Sequence, residues 1–320
     1  MATHIRNRTL EAIAVRAKTV WDWTIAQIVL GFLALIRRLP AEKLTCGAER
    51  LGRFLAPVLP RTRLAKRNMA LAFPEKSEAE IAAMARGMWG HVARTIAEYV
   101  FLDELFDFDY ENPDAGRVRF EGIERFLAVR DSDRPIILFT AHTGNWEILP
   151  VGAAAYDLHV TAMFRPPNNR FLAKHLLEAR TTGKGHLVPS RAGAAWALAD
   201  VLAANGAIGL LADQAFTRGP HIEFLGREAT ANPIAAKLAR QFNADIYPAR
   251  CVRQPGGKFL LELGEKLDPA RDERGNLDVV GTTKRINAVI EGWVREYPEQ
   301  WLWLHNRWKI KGPEKAKWRR

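Results

Sequence analysis

Cysteine is scarce in this chain, with Cys46 and Cys251 the only two among 320 residues. Two thiols this far apart do not suggest a disulfide framework, and no Cys/His cluster has the spacing of a zinc site. The scarcity predicts a protein on the reducing side of a membrane. No motif implies a metal or an organic cofactor.

The chain also lacks a linker rich in Ser, Gly or Pro, an internal repeat and a low-complexity tract. A chain of this length without a linker can bury one substantial core, so we expect one catalytic domain over residues 41–310. A Gly-x-Ser-x-Gly elbow is absent, which counts against an α/β-hydrolase with a serine nucleophile.

Long apolar runs are nearly missing, and the best candidate is Val20 to Ile36, which Asp22 and Gln27 interrupt. Its unbroken part, residues 28–36, is much shorter than the ~20 residues that a spanning helix needs. No small-x-small cleavage site follows, which argues against a removed signal peptide. We expect residues 1–40 to form a helix that anchors the protein at the cytoplasmic face, in the interface or as a short span. A buried core helix is the alternative.

Acidic residues do not balance the basic ones, and the net charge is +11. The last twenty residues hold seven Lys or Arg, one Glu and four Trp counted from Trp301. Basic and Trp-rich segments suit an interface with anionic headgroups. Such a surface would also attract the phosphate backbone of a nucleic acid. No nucleic-acid motif accompanies the charge, so we do not expect a nucleic acid as partner. For residues 311–320 a solvated basic tail is the alternative.

The periodicity of the apolar residues predicts an α/β fold, a central mixed sheet covered by helices, after a helical N-terminal section. Helices are expected at 41–55, 62–72 and 77–101, the last begun by a capping box of Ser77 and Glu80. Beyond residue 117 short apolar runs alternate with helical windows. Strands are predicted at 117–120, 135–141, 158–163, 186–189, 207–212, 245–252 and 258–264, and helices at 122–130, 146–155, 168–182, 193–204, 232–242 and 281–296.

His142 and Glu147 lie five residues apart, directly after the predicted strand 135–141. On one continuous helix they would point about 140° apart, so a turn between them is required. Gly144 permits a bend and Asn145 is a good N-cap, which would place Glu147 in the first turn of the next helix. There its carboxylate would hold and polarise the imidazole. About one such pair is expected by chance, so a surface His beside a Glu favoured by the helix dipole is the alternative.

Polar side chains follow other predicted strands at the same edge of the sheet. Arg165 follows strand 158–163, and Asp213 and Gln214 follow strand 207–212. Convergence at the carboxyl ends of strands is typical of ligand sites in α/β folds. Arg250, near the end of strand 245–252, is a further anion-binding candidate. The alternatives are a surface salt bridge for Arg165, a cap for Asp213 and an edge-strand charge for Arg250.

Five ordered blocks together resemble the lipid A biosynthesis acyltransferases, the late lauroyl and myristoyl transferases of Gram-negative lipopolysaccharide assembly. The resemblance covers roughly residues 20–310, and the mycobacterial phosphatidylinositol mannoside acyltransferases are similar in the main blocks. Two positions depart from the family pattern, Ala215 in place of a polar or acidic residue and Leu225 in place of Phe. The blocks are residues 142–147, 164–169, 209–214, 222–230 and 298–309.

The resemblance implies transfer of a fatty acyl chain from an acyl carrier protein to a hydroxyl of a lipid A precursor, at the cytoplasmic face of the inner membrane. His142 would be the general base and Glu147 would orient it; no protein nucleophile is needed, because the acceptor hydroxyl attacks directly. The alternatives are another glycolipid or phospholipid acceptor with acyl-CoA as donor, or a non-catalytic lipid-binding protein. Substrate contacts are predicted at Arg165, Asn168, Asp213, Gln214, Arg250, His305 and Arg307.

Overall fold

The computed structural model of the chain describes residues 2–174, 186–190 and 193–308. The N-terminal section is helical, as its periodicity predicts. Ser77 and Glu80 form the expected capping box at the start of α4, but this helix ends at Glu98 and continues as a 3₁₀ turn over Tyr99–Phe101. The helices of this section are α1 (Ala2–Ile36), α2 (Ala41–Leu55), α3 (Thr62–Ala72), α4 (Glu78–Glu98) and the short α5 (Leu102–Leu105).

Seven strands of the described residues form one central sheet, in the order β1-β9-β8-β2-β5-β3-β4. The pair β8 and β9 is antiparallel and the other neighbours are parallel, so the sheet is mixed, as predicted. A separate hairpin consists of β6 and β7. The strands are β1 (Val118–Glu121), β2 (Ile136–Thr140), β3 (Val160–Phe164), β4 (His186–Pro189), β5 (Ala207–Leu211), β6 (His221–Phe224), β7 (Arg227–Thr230), β8 (Asp245–Gln254) and β9 (Lys258–Leu263).

Helices cover both faces of the sheet. Successive residues of each strand point to opposite faces, so both faces carry apolar side chains that the helices bury. In β2, Ile137 and Phe139 enter one core, and Ile136 enters a second core. The first core is shared with α3, α4, α8 (Ala194–Ala203), α9 (Ile234–Phe242) and α10 (Val279–Glu296). The second core is shared with α6 (Ile123–Arg130) and α7 (Ile148–Ala155).

Some boundaries differ from the predictions. The helix predicted at 146–155 begins two residues later, at Ile148. Of the helix predicted at 168–182, residues 170–174 are helical, and the remainder after 174 lies outside the described residues. The β6–β7 hairpin was not predicted. The predicted basic tail, residues 311–320, also lies outside the described part of the chain.

The N-terminal helix α1 is longer and more apolar than the sequence run suggests. Its segment Val15–Ile36 has 22 residues with a mean hydropathy of 1.6, which is sufficient in length and composition to cross a membrane. Large apolar side chains of this segment, among them Trp21, Ile28 and Phe32, are exposed. Asn169 donates a hydrogen bond to the carbonyl oxygen of Asp22, which joins α1 to the segment after β3.

Candidate active site

The site begins at the register between β2 and β5. Thr140 is paired with Leu211, the last residue of each strand, and the Ala212 amide donates to the Thr140 carbonyl at 2.9 Å. His142 lies two residues beyond Thr140, and Asp213 lies two residues beyond Leu211. Parallel neighbours therefore place an imidazole and a carboxylate opposite each other at the carboxyl edge of the sheet.

Asp213 binds the imidazole of His142 directly. The His142 Nδ1 atom is 2.9 Å from Asp213 Oδ1, and the His142 backbone amide donates to Oδ2 at 3.0 Å. Trp301 Nε1 donates to the same Oδ2 at 2.8 Å. Two donors with fixed roles therefore hold one carboxylate oxygen while the other faces the ring.

The pair is electrostatically coupled. Burial alone would raise the pKa of Asp213, but the charge and hydrogen bonds of His142, with the Trp301 hydrogen bond, hold it well below its usual range. Burial alone would lower the pKa of His142, but the charge and hydrogen bond of Asp213 and the charge of Glu147 raise it. Because ionised Asp213 can only accept, Nδ1 carries the proton of the neutral ring and Nε2 keeps its lone pair.

Glu147 has a different position from the one predicted. It was expected to orient the imidazole, but the hydrogen bond that orients Nδ1 comes from Asp213. Glu147 instead accepts a hydrogen bond from Trp146 Nε1 at 3.1 Å and lines the cavity beside the ring. Burial raises the pKa of Glu147 to about 7, against smaller lowering effects of Trp146 and His142. A catalytic role of Glu147 stays a prediction.

The loop between His142 and Glu147 is held tightly. Gly144 has φ +58°, and a Cβ there would lie 1.9 Å from the Cys251 carbonyl oxygen, so only glycine fits. The Gly144 amide donates to the Gln300 carbonyl at 3.1 Å, and the Leu302 amide donates to the His142 carbonyl at 2.9 Å. The segment 300–302 thus pairs with the loop 142–147 and places Trp301 against Asp213.

The Nε2 atom of His142 faces two further predicted residues. Gln214 Nε2 lies 3.4 Å from His142 Nε2 and 3.1 Å from His305 Nε2, so its amide bridges the two rings. Burial, and then the charge of His142, lower the pKa of His305, which favours its neutral form. All three side chains line one cavity.

This cavity has a volume of about 690 Å³, within the usual range of ligand sites. It extends from His142 between the sheet and helices α6 and α7. Residues of all seven strands of the central sheet line it. The lining away from His142 is mainly apolar and includes Phe120, Phe126, Leu138, Leu149, Ala153, Val160, Ala162, Ala249 and Leu261. A mainly apolar cavity with the His142 imidazole in its lining suits a reactive group with a hydrocarbon chain.

Arg165 and Asn168 take different positions. Arg165 directly follows β3, is exposed and lines the cavity. Asn168 is exposed and does not line it, while its neighbour Asn169 accepts hydrogen bonds from the amides of Phe171 and Leu172 as the cap of the helical segment. A substrate contact by Asn168 stays a prediction.

Two predicted anion-binding arginines have structural positions instead. Arg250 forms ion pairs with Glu262 and Glu296, so its charge is already met by two carboxylates. Arg307 is 1% exposed and donates to the Thr230 carbonyl and to the Asn287 side chain. Neither arginine lines the cavity, and a substrate contact by either one stays a prediction.

The tryptophans of the C-terminal block pack in the core. Trp301 and Trp303 make an edge-to-face contact with ring centroids 4.6 Å apart, and Trp308 packs against Phe224. The contact of Trp301 with Asp213 is the part of the site that no sequence pattern indicated. Within the described residues, no three His, Cys, Asp or Glu side chains converge as a metal site.

Comparison with known proteins places this chain in a family. The family model described as "Bacterial lipid A biosynthesis acyltransferase" matches residues 13–310. A Shigella flexneri protein named lipid A biosynthesis acyltransferase 2 is 25% identical over 283 residues, 86% of this chain and 87% of that protein. The lipid A biosynthesis lauroyltransferase of Escherichia coli strain K12 is 25% identical over 309 residues, 88% and 90% of the two chains.

A mycobacterial protein is also similar. The phosphatidylinositol mannoside acyltransferase of Mycolicibacterium smegmatis is 26% identical over 191 residues, 58% of this chain, and the match spans 60% of that protein's length. The family model covers nearly the whole described chain, from α1 to the tryptophan-rich block that holds Asp213. The chain therefore belongs to the bacterial lipid A biosynthesis acyltransferase family.

Proposed function

We propose that this protein transfers a fatty acyl chain from the thioester of an acyl carrier protein to a hydroxyl of a lipid A precursor, with His142 as general base. Family membership supports an acyltransferase that acts on a lipid A-like glycolipid. The observation that carries the chemistry is the 2.9 Å hydrogen bond between Asp213 and His142, whose imidazole lines a mainly apolar cavity.

The reaction needs one proton acceptor and one proton donor, and His142 serves as both. Its Nε2 takes the proton of the acceptor hydroxyl as the oxygen attacks the thioester carbonyl carbon. Collapse of the tetrahedral intermediate breaks the carbon–sulfur bond, and the imidazolium returns the proton to the leaving thiolate. Asp213 stays ionised throughout and stabilises the imidazolium, as the carboxylate does in serine protease triads.

The cavity residues supply binding and charge stabilisation. The acyl chain would lie along the apolar lining between the sheet and α6 and α7, with the thioester beside His142. Arg165 would meet negative charge on the acceptor phosphate or on the oxyanion, where a planar guanidinium suits either task. Gln214 and His305 lie next to Nε2 and would contact the reacting groups after the acceptor hydroxyl displaces the amide. We retain Glu147 as a second carboxylate that tunes the charge of His142.

The partners follow from charge. A net charge of +11 favours encounters with an acidic carrier protein and with a phosphorylated glycolipid. We propose that α1 anchors the enzyme at the cytoplasmic face of the inner membrane. Exposed apolar side chains occur on several sides of its segment Val15–Ile36, which favours a span over a helix lying in the interface.

The test compares the lipid A of bacteria that lack this protein with that of the parent strain. Mass spectrometry should show a loss of one acyl chain per molecule, restored by the wild-type gene and not by a His142→Ala variant. A phosphatidylinositol mannoside acceptor, suggested by the mycobacterial relative, predicts unchanged lipid A and acylation of the purified mannoside by the enzyme. Unchanged lipid A would refute the lipid A assignment.

A further inference from the structure

A second, polar cavity lies apart from the acyl cavity. It has a volume of about 340 Å³ and is enclosed by α2, α4 and the turn between β8 and β9. The residues lining it that matter here are Glu49, His91, Arg94, Arg253, Gly256 and Lys258. Gly256 and Lys258 are exposed, so the cavity opens to solvent at the turn.

Arg253 lines this cavity and has one side-chain donor without a partner. The residue is 8% exposed, and its Nη1 and Nη2 donate to Glu98 and to Thr95 at 2.6 Å each. Its Nε atom is buried and has no hydrogen-bond partner. A guanidinium N–H can only donate, and a buried donor without a partner is costly, so an acceptor is missing at this position.

His91 provides a second unpartnered group. Its Nδ1 atom is also buried without a hydrogen-bond partner. Burial and the charge of Arg253 lower the pKa of His91 to about 4, against the raising effect of Glu49. A neutral imidazole beside an arginine can donate one N–H to a bound anion, and the anion in turn would favour its protonated form.

The charges of the lining favour an anion over a cation. The lining holds Arg94, Arg253 and Lys258 against one acidic residue, Glu49. Glu98 lies outside the lining and forms ion pairs with both arginines, so these three cations are opposed by two carboxylates. Glu49 pairs with Arg94 at 2.9 Å and with Arg53, so its charge is already neutralised. Lys258, at the exposed rim, adds a mobile ammonium group.

From these observations we propose that the second cavity binds a phosphate group, as free phosphate or as a phosphomonoester. The phosphate oxygens accept from Arg253 Nε, from His91 and from the Lys258 ammonium group. Tetrahedral oxyanions with several acceptor oxygens suit such a set of convergent donors. The site is separate from the acyl cavity, since the two linings share no residue, and the proposal does not depend on the proposed acyl transfer.

The site is connected to the catalytic loop through Arg253. Glu98, which accepts from Arg253, also accepts from the Asn145 side chain at 2.8 Å. Thr95, the other partner of Arg253, donates to the Gly144 carbonyl at 3.3 Å. A phosphate on the third nitrogen of Arg253 therefore fixes the residue that supports the turn between His142 and Glu147.

The experiment is calorimetric titration of the full chain in detergent with inorganic phosphate, at constant ionic strength set with sodium chloride. We expect saturable binding that weakens by about tenfold or more in Lys258→Glu and in His91→Leu, since each removes a hydrogen bond to a charged group. Lys258→Ala, which carries no reversed charge, should lie between Lys258→Glu and wild type. Lys284→Glu is the matched control, because Lys284 is also exposed and lines neither cavity.

The same titration with glycerol phosphate separates the two sources of the ligand. Tighter binding of glycerol phosphate assigns the site to a phosphomonoester headgroup, and equal or weaker binding assigns it to free phosphate. No saturable binding of either ligand, or equal binding by wild type, Lys258→Glu and His91→Leu, would overturn the proposal. Melting temperatures of all variants confirm that the compared proteins are folded.

Discussion

Replacement of Asp213 by Asn should invert the hydrogen bonding of His142. The Asp213 Oδ2 atom accepts from the His142 backbone amide at 3.0 Å and from Trp301 Nε1 at 2.8 Å. Both groups can only donate, so the carbonyl oxygen of Asn must occupy the Oδ2 position. Its NH₂ group then takes the Oδ1 position, 2.9 Å from Nδ1 of the ring. Nδ1 must become the acceptor, and the proton moves to Nε2.

The consequence is a folded enzyme with its base in the wrong tautomer. The same exchange in a serine protease triad lowers kcat by about 10⁴-fold, and we expect a loss of about 10³ to 10⁴-fold here. The assay is initial-rate acyl transfer from an acyl carrier protein thioester, measured as a function of acceptor concentration. KM should change much less than kcat, because Asp213 acts through His142 and does not touch the acceptor.

Glu147→Gln is the matched control, since it makes the same isosteric change in the other carboxylate near the ring. We expect a far smaller loss, because Asp213 holds Nδ1 of the ring and Glu147 acts on His142 through its charge. Near-normal kcat in Asp213→Asn together with an inactive Glu147→Gln would refute the assignment of Asp213 and restore the pairing predicted from sequence. Melting curves exclude unfolding as the cause.

The remaining predictions concern pH, Arg165 and the anchor. The rate should rise with pH through an apparent pKa above the ordinary value for histidine, because the base acts only when deprotonated. Glu147→Gln should lower this pKa, because it removes a negative charge near His142, and an unshifted pH–rate profile would contradict the coupling. Arg165→Ala should lower kcat by about 10² to 10³-fold if Arg165 binds the oxyanion, or raise mainly KM if it binds an acceptor phosphate. Arg165→Lys should be impaired in both cases, and wild-type kinetics of Arg165→Ala would return Arg165 to a surface role. Deletion of residues 1–38 should move much of the protein to the soluble fraction with salt-sensitive residual membrane binding, whereas unchanged, salt-resistant association would place the anchor elsewhere.

Much of the fold follows from the sequence because its local patterns agree with its final packing. The strands of the central sheet are short apolar runs, and the capping box of Ser77 and Glu80 marks the start of α4. The β6–β7 hairpin was missed because its turn consists of Leu225 and Gly226, both with positive φ. Leucine is rare in that conformation and gives no turn signal, unlike Asn-Gly.

The sequence indicated which residues would lie near the site better than it indicated which of them pair with each other. His142 and Asp213 were both recognised at strand ends, but their pairing depends on the neighbouring register of β2 and β5, which one sequence does not specify. Local spacing favoured Glu147 instead. Arg250 and Arg307 carried a charge that suggested anions, whereas their partners Glu296 and Asn287 become neighbours only in the folded chain.

The central claim is that His142, held by Asp213, acts as the general base for acyl transfer to a lipid A precursor. The most direct measurement incubates the purified protein with an acyl carrier protein thioester and a phosphorylated lipid A precursor, and follows the glycolipid by mass spectrometry. The account predicts a product heavier by one acyl chain with wild type, and no such product above background with His142→Ala or Asp213→Asn. Equal product from wild type and from folded His142→Ala would contradict it.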